Sequence, residues 1–256
     1  MTTTAALRTA IGPAILLSVL MAIVGPTTAA QTAAIPSGIP RALAQERAAR
    51  VTDLHYRLTY NLVSHAPSTE ATEQIRFNLS NASTPLLLDF RDGALSSIVL
   101  NSAPIPVEIQ NGHIVLPASA LRTGENTVET KFTANIAPAG KAITRFEDHD
   151  DGQEYLYTLF VPMDASMAFP CFDQPDLKGR FTLTTTNPTT WVVRSNTAPR
   201  RIEAQGAIST TEFSETEPIP TYLFAFAAGP FVNVHPQQGM PNVWVRASKA
   251  KSAETE

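Results

Sequence analysis

The chain has 256 residues and only one cysteine, Cys171. An intrachain disulfide is therefore excluded, and the fold must rest on its core and its backbone ladders. A lone thiol in such a chain is expected to be buried as a small hydrophobe. Histidine is also scarce. The five are His55, His65, His113, His149 and His235, and no two stand at the i, i+4 spacing that puts zinc ligands on one helix face. No charge of one sign dominates: the formal net charge is −4 and there is no basic block. A nucleic-acid partner, which needs a clustered basic face, is thereby excluded. Neither a G-x-S-x-G nor a G-x-G-x-x-G motif is present. The acidic run Glu147-Asp148-His149-Asp150-Asp151 lacks the alternate-residue spacing and closing Glu of a calcium loop, so a solvated turn is expected there.

Long apolar runs are missing except at the start. Ile11 to Val24 is almost unbroken, follows Arg8, and precedes the small residues Thr27-Thr28-Ala29-Ala30. That order predicts a secretory signal peptide over residues 1–30, cleaved after Ala30. A retained membrane anchor is the competing reading. It needs roughly 20 apolar residues, and this run is shorter and carries Pro13. No stable transmembrane span is expected, and the mature chain should be secreted or periplasmic. Residues 31–50, rich in Ala, Pro and Arg, read as a flexible leader.

What is abundant is proline, twenty residues of it, set among Thr, Val and Phe. Long helices are thus disfavoured. From Asp53 the apolar period is two. Tyr56, Leu58, Tyr60 and Leu62 alternate with polar residues, as do Ile75, Phe77 and Leu79. Val107 and Ile109, then Asn111-Gly112, then Ile114 to Leu116 predict a type I′ hairpin. Further strands are expected at 86–90, 97–100, 127–133, 155–160, 181–186, 191–194, 207–213, 222–227, 232–235 and 243–246. Turn residues separate them, among them Gly239-Met240-Pro241. The sole helical candidate is a turn near Ser119–Arg122. The expectation is an all-β domain over residues 51–247, a large antiparallel β-sandwich or saddle-shaped sheet, with a linker or tail over 248–256. Composition and spacing alone show no active site.

One segment is specific: Tyr155 to Phe181, reading YLYTLFVPMDASMAFPCFDQPDLKGRF. It resembles the signature of the aminopeptidase N family, T-Q-x-E-P-x-x-A-R-x-x-F-P-C-x-D-E-P-x-x-K-A-x-F. The shared positions are Thr158, Pro162, Ala165, Phe169, Pro170, Cys171, Asp173, Pro175, Lys178 and Phe181. Asp53, Tyr56 and Leu58 fall where that family's opening strand lies. Trp191 to Asn196 resembles its W-x-x-x-S-N segment, and Thr221 to Phe226 its T-Y-L-x-A-F strand. The likeness covers roughly residues 50 to 248.

The resemblance implies the N-terminal β domain of a zinc-dependent exopeptidase that removes N-terminal residues from peptide substrates. In the family a catalytic metallopeptidase domain with H-E-x-x-H follows this domain and binds zinc. The 256 residues contain no such motif. No cofactor is therefore expected in this chain, and zinc is expected in a full-length member. Leu159 and Val161 stand where the family often has Gln and Glu, and Ser166 where it has Arg. With Pro162, Leu159 and Val161 become candidates for an apolar wall of the substrate cleft. The bottom-up reading of Pro170, Cys171, Phe172, Asp173, Pro175 and Lys178 is structural. The two prolines stiffen the loop, Asp173 accepts backbone N–H groups, and Lys178 or Arg180 is available to pair with it. The alternatives are a free-standing binding or scaffold module of the same fold, and a sugar-binding sandwich using Trp191 and Trp244.

Overall fold

Alternation of apolar and polar residues builds most of the molecule, seen here in a computed structural model that describes residues 1–4, 34–234 and 242–253. Residues 5–30 of the expected signal peptide, His235 and the expected 239–241 turn lie outside the described residues. β1 (Val51–Asn61), β2 (Ser68–Leu79) and β8 (Gly124–Ala137) are the long central strands. Between β2 and β8 come β3 (Leu86–Asp89), β4 (Gly93–Leu100), β5 (Ala103–Pro104), β6 (Ile109–Gln110) and β7 (His113–Leu116). After β8 follow β9 (Ile143–Glu147), β10 (Glu154–Thr158), β11 (Gly179–Pro188), β12 (Val192–Ser195), β13 (Pro199–Gln205) and β14 (Ile208–Phe213). The last three are β15 (Phe226–Gly229), β16 (Phe231–Asn233) and β17 (Trp244–Arg246).

Twelve strands form one large, nearly closed sheet in the order β12-β15-β10-β9-β8-β2-β1-β11-β14-β13, with β4 and β5 branching from β8. The all-β expectation holds, but the sheet is mixed. β1 runs parallel to β11, pairing Tyr56 with Phe181, and β8 runs parallel to β9. A three-stranded sheet, β3-β7-β6, shares the same core: Leu86, Leu88, Ile114 and Leu116 are buried with Leu58, Ile75, Phe77 and Val128. Aromatic rings fill its centre. Phe181 stacks on Tyr56 at 4.7 Å and on Phe224 at 4.7 Å, and Phe169 meets Phe181 edge-on at 6.2 Å. The expected hairpin is present, with positive φ at both Asn111 (51°) and Gly112 (84°), the requirement of a I′ turn.

Two local expectations need correction, and two gain detail. The loose leader is helical over its second half: α1 spans Arg41–Arg50. It has no apolar stripe to betray it, because Arg47, one of its two buried residues, docks it by charge. The turn expected near Ser119–Arg122 lies over residues 118–120, closed by Leu121 N–H on the carbonyls of Pro117 and Ala118. The strand expected from Tyr222 begins only at Phe226, because Pro220 opens a 3-10 turn over Thr221–Leu223. The acidic run makes the expected exposed turn over 149–151, with Asp148 as its one buried residue. The Asp148 Oδ2 accepts from Arg246 at 2.8 Å and from Ser248 at 2.7 Å. Beyond β17 the chain makes a 3-10 turn, Ala247–Lys249, and a single helical turn α2, Ala250–Ala253. No helix among the described residues is long and apolar enough to cross a membrane.

Candidate functional site

The distinctive segment leaves β10 at Thr158. The Thr158 hydroxyl accepts from the N–H of Phe226 (3.0 Å) and donates to its carbonyl (3.3 Å), fixing the exit against β15. From there apolar residues alternate between core and solvent. Phe160 is buried against Phe169, with ring centroids 5.8 Å apart, whereas Leu159 is 57% exposed and Val161 55%. Tyr157 and Met163 are exposed beside them. The Val161–Pro162 bond is cis. The three cleft candidates thus lie together on one surface loop, and all three present hydrocarbon to water.

The structural residues lie beneath. Cys171 bridges to β3 through both backbone groups: Asp89 N–H donates to the Cys171 carbonyl (2.7 Å), and Cys171 N–H to the Asp89 carbonyl (3.0 Å). Phe172 N–H donates to the Tyr56 hydroxyl at 3.1 Å. Asp173 accepts the Ser166 N–H at 3.0 Å on one oxygen and the Thr221 hydroxyl at 2.8 Å on the other. The expected partners Lys178 and Arg180 do not reach it. Lys178 is exposed, and Arg180 pairs with Glu217 instead. Pro170 is buried at the bend, and Pro175 is exposed where the chain turns back toward β11.

Sequence reasoning missed the centre of this knot, which is Asp89. Arg47 of α1 donates to both its oxygens (2.8 and 2.5 Å), His113 Nδ1 lies 2.7 Å from Oδ1, and Asp173 N–H donates to Oδ2 at 2.9 Å. His113 Nε2 is within 2.9 Å of the Gly38 carbonyl, and Gln174 Nε2 donates to the Ala44 carbonyl at 2.9 Å. Burial alone raises the Asp89 carboxyl, but His113, Arg47 and the Asp173 amide outweigh it and hold the group below the usual carboxylate range. Asp173 moves the other way. Burial raises it, and its two donors do not compensate. The Cys171 thiol is pushed well up by burial, then by Asp173 and Asp89, which makes it an inert packing group. No local signal could have found Asp89, because its partners stand 42 and 24 residues away in sequence.

The peptidase M1 N-terminal domain model matches residues 52–223, more than half of the chain. The chain belongs to this family. Aminopeptidase N of Streptomyces lividans is 28% identical over 199 residues, covering 76% of this chain and 22% of that protein. Leucine aminopeptidase 2 of Neurospora crassa is 28% identical over 165 residues, covering 61% of this chain and 25% of that protein. Aminopeptidase N of Oryctolagus cuniculus is 36% identical over 131 residues, covering 47% and 13%. The chain therefore spans about a quarter or less of the curated relatives' length.

Zinc, which this M1 family implies, does not fit the residues of this domain. Among the described residues no group of three or more His, Cys, Asp or Glu is placed to hold a metal. The best buried histidine, His113, has both ring nitrogens committed to Asp89 and Gly38. The knot is a fastening, not a ligand set. It ties α1, β3, β7 and the 158–178 loop into one body, so that Leu159 and Val161 are offered from a rigid base.

Proposed function

We propose that this chain is the non-catalytic β domain of a secreted, zinc-dependent aminopeptidase, without turnover by itself. Its 158–178 loop docks against a metallopeptidase body bearing H-E-x-x-H. The observation that carries this reading is the pairing of the family match with the two most exposed apolar side chains on that loop, Leu159 and Val161. The M1 relatives are aminopeptidases by name. A patch of hydrocarbon held on a rigid base is what an interface or a cleft wall requires.

In this reading Leu159, Val161 and Pro162 wall the part of the cleft that receives the first side chain of a peptide. Neither Leu159 nor Val161 can bind an ammonium group, so recognition of the free α-amine falls to the catalytic body. The test uses the reading frame extended to include H-E-x-x-H. Zinc content and hydrolysis of a panel of aminoacyl anilides are measured for the unaltered enzyme and for Leu159→Gln. The reading expects zinc and turnover in the long form, neither in the 256-residue chain, and a changed ranking of first side chains in the variant. Turnover by the short chain, or an unchanged ranking, would overturn the corresponding half of the proposal.

A further inference from the structure

A second site lies on the other side of Tyr157. β9 and β10 place Phe146 and Tyr155 opposite each other in register, so both rings leave the sheet on the same face, with Tyr157 two residues on. The β16–β17 pair brings Phe231 and Trp244 over them, and Phe231 packs on Tyr155 at 4.9 Å. Between these five rings is a cavity of about 610 Å³, with Val245, Arg246 and Lys249 completing its wall. A volume of that size, walled by aromatics with a few polar groups, is the ordinary form of a small-molecule site.

Its charges are one-sided on the ring faces. The Arg194 guanidinium lies 3.6 Å over the Trp244 ring, and the Arg246 guanidinium 4.5 Å over Phe146. A cationic ligand would meet repulsion from both. Arg246 donates one N–H to Asp148, at 2.8 Å, and that fastening uses only one of the five donors a guanidinium carries. Lys249 pairs with Asp150. The Arg246 side chain is 32% exposed, so its remaining donors are open to an acceptor that enters the cavity.

We propose that this cavity binds a small aromatic carboxylate, its ring among Phe146, Tyr157 and Trp244 and its carboxylate on the free edge of Arg246. The site is separate from the knot around Asp89 and does not depend on the aminopeptidase reading.

The test uses the Trp191→Phe variant of this chain, which leaves Trp244 as the only indole. Its emission is followed while phenylacetate, phenylacetamide and benzylamine are added in turn, each up to about 20 mM, the range in which millimolar binding saturates. The expected result is a saturable change with phenylacetate at least about fivefold tighter than with the amide, the size of one charge-assisted hydrogen bond. Benzylamine is expected to bind weakest. Adding Arg246→Gln should erase the preference for the carboxylate and leave amide binding intact, and Tyr157→Ala should weaken both. Because Arg246 also steadies Asp148, the carboxylate preference is measured in parallel at low and high salt on the Trp191→Phe chain, where it should shrink as salt rises. The absence of any saturable change, equal binding of acid and amide at low salt, or tighter binding of the amine overturns the proposal. Equal binding would mark a plain apolar socket for a polypeptide side chain.

Discussion

Asp89 and Glu73 are two buried carboxyls treated in opposite ways. Asp89 is ionised and surrounded by donors. Its removal leaves Arg47, fully buried, without its counter-charge. Asp89→Asn should therefore cost about 3–5 kcal/mol, the price of orphaning a buried ion. Chemical denaturation of the two proteins checks this. A loss below about 1 kcal/mol would mean that the Arg47–Asp89 pair does not hold α1. Glu73 is 3% exposed, faces the core from β2, and has one oxygen without a partner, the other meeting only Thr130 at 3.5 Å. Burial raises its carboxyl well above the usual value, and the Thr130 hydroxyl offsets little. Folding therefore favours the protonated form of Glu73, whereas unfolding returns the carboxyl to water. Its contribution is thus intact below the unfolded value near 4.3 and is lost as pH rises toward the raised folded value, at about 1.4 kcal/mol per unit. Glu73→Gln removes that loss. Urea midpoints at pH 5 and pH 9 should fall less in the variant than in the parent chain, and parallel falls would show that Glu73 is solvated.

At the scale of elements, sequence legibility divides cleanly. Strands with one apolar face, such as β1, β2 and β8, carry the period-two signal in full, and the Asn111-Gly112 turn states its own geometry. β13, Pro199–Gln205, has no buried residue and so no pattern to read; it exists because β14 offers it a ladder. The α1 helix is invisible for a related reason, since its anchor is a guanidinium paired 42 residues away. The parallel pairing of β1 with β11 is a fact of topology that no local window contains. The cleft candidates were legible only through the family signature, and the Asp89 knot beneath them was not legible at all. A contact that shapes the sheet without any sequence signature is at Gly93, where β4 joins β8. A Cβ there would stand 2.2 Å from the Thr133 carbonyl oxygen and 2.4 Å from the Phe90 ring. Since backbone cannot yield as a flexible side chain can, Gly93→Ala should cost about 1–3 kcal/mol by overpacking. Thermal melting of this variant beside Gly206→Ala, whose Cβ would meet nothing within 4 Å but whose φ of +62° disfavours a side chain, separates a steric clash from backbone strain. A loss below about 0.5 kcal/mol for Gly93→Ala relative to the parent chain would show that β4 relaxes freely.

For the molecule as a whole, the question is why a core this well closed leaves Tyr157, Leu159, Val161 and Met163 in water. Phe160 and Phe169 turn inward from the same segment and are almost wholly buried, so the chain does not lack room for hydrocarbon. The 158–178 loop is held by backbone bonds to β3, by the hydroxyls of Tyr56, Tyr60 and Thr221, and by Asp173. None of these fastenings uses the exposed side chains. Surface apolar groups that stabilise nothing in the folded chain are free to serve a partner. The double variant Leu159→Ser, Val161→Ser should accordingly melt within about 0.5 kcal/mol of the parent chain. The same change should reduce self-association of the isolated chain, because the patch that a partner body would cover is then polar. Sedimentation velocity across a hundredfold concentration range measures the second effect, and scanning calorimetry the first. A large stability loss would place the two side chains in the fold's own packing. Unaltered association at unaltered stability would move the interface to another face of the sheet.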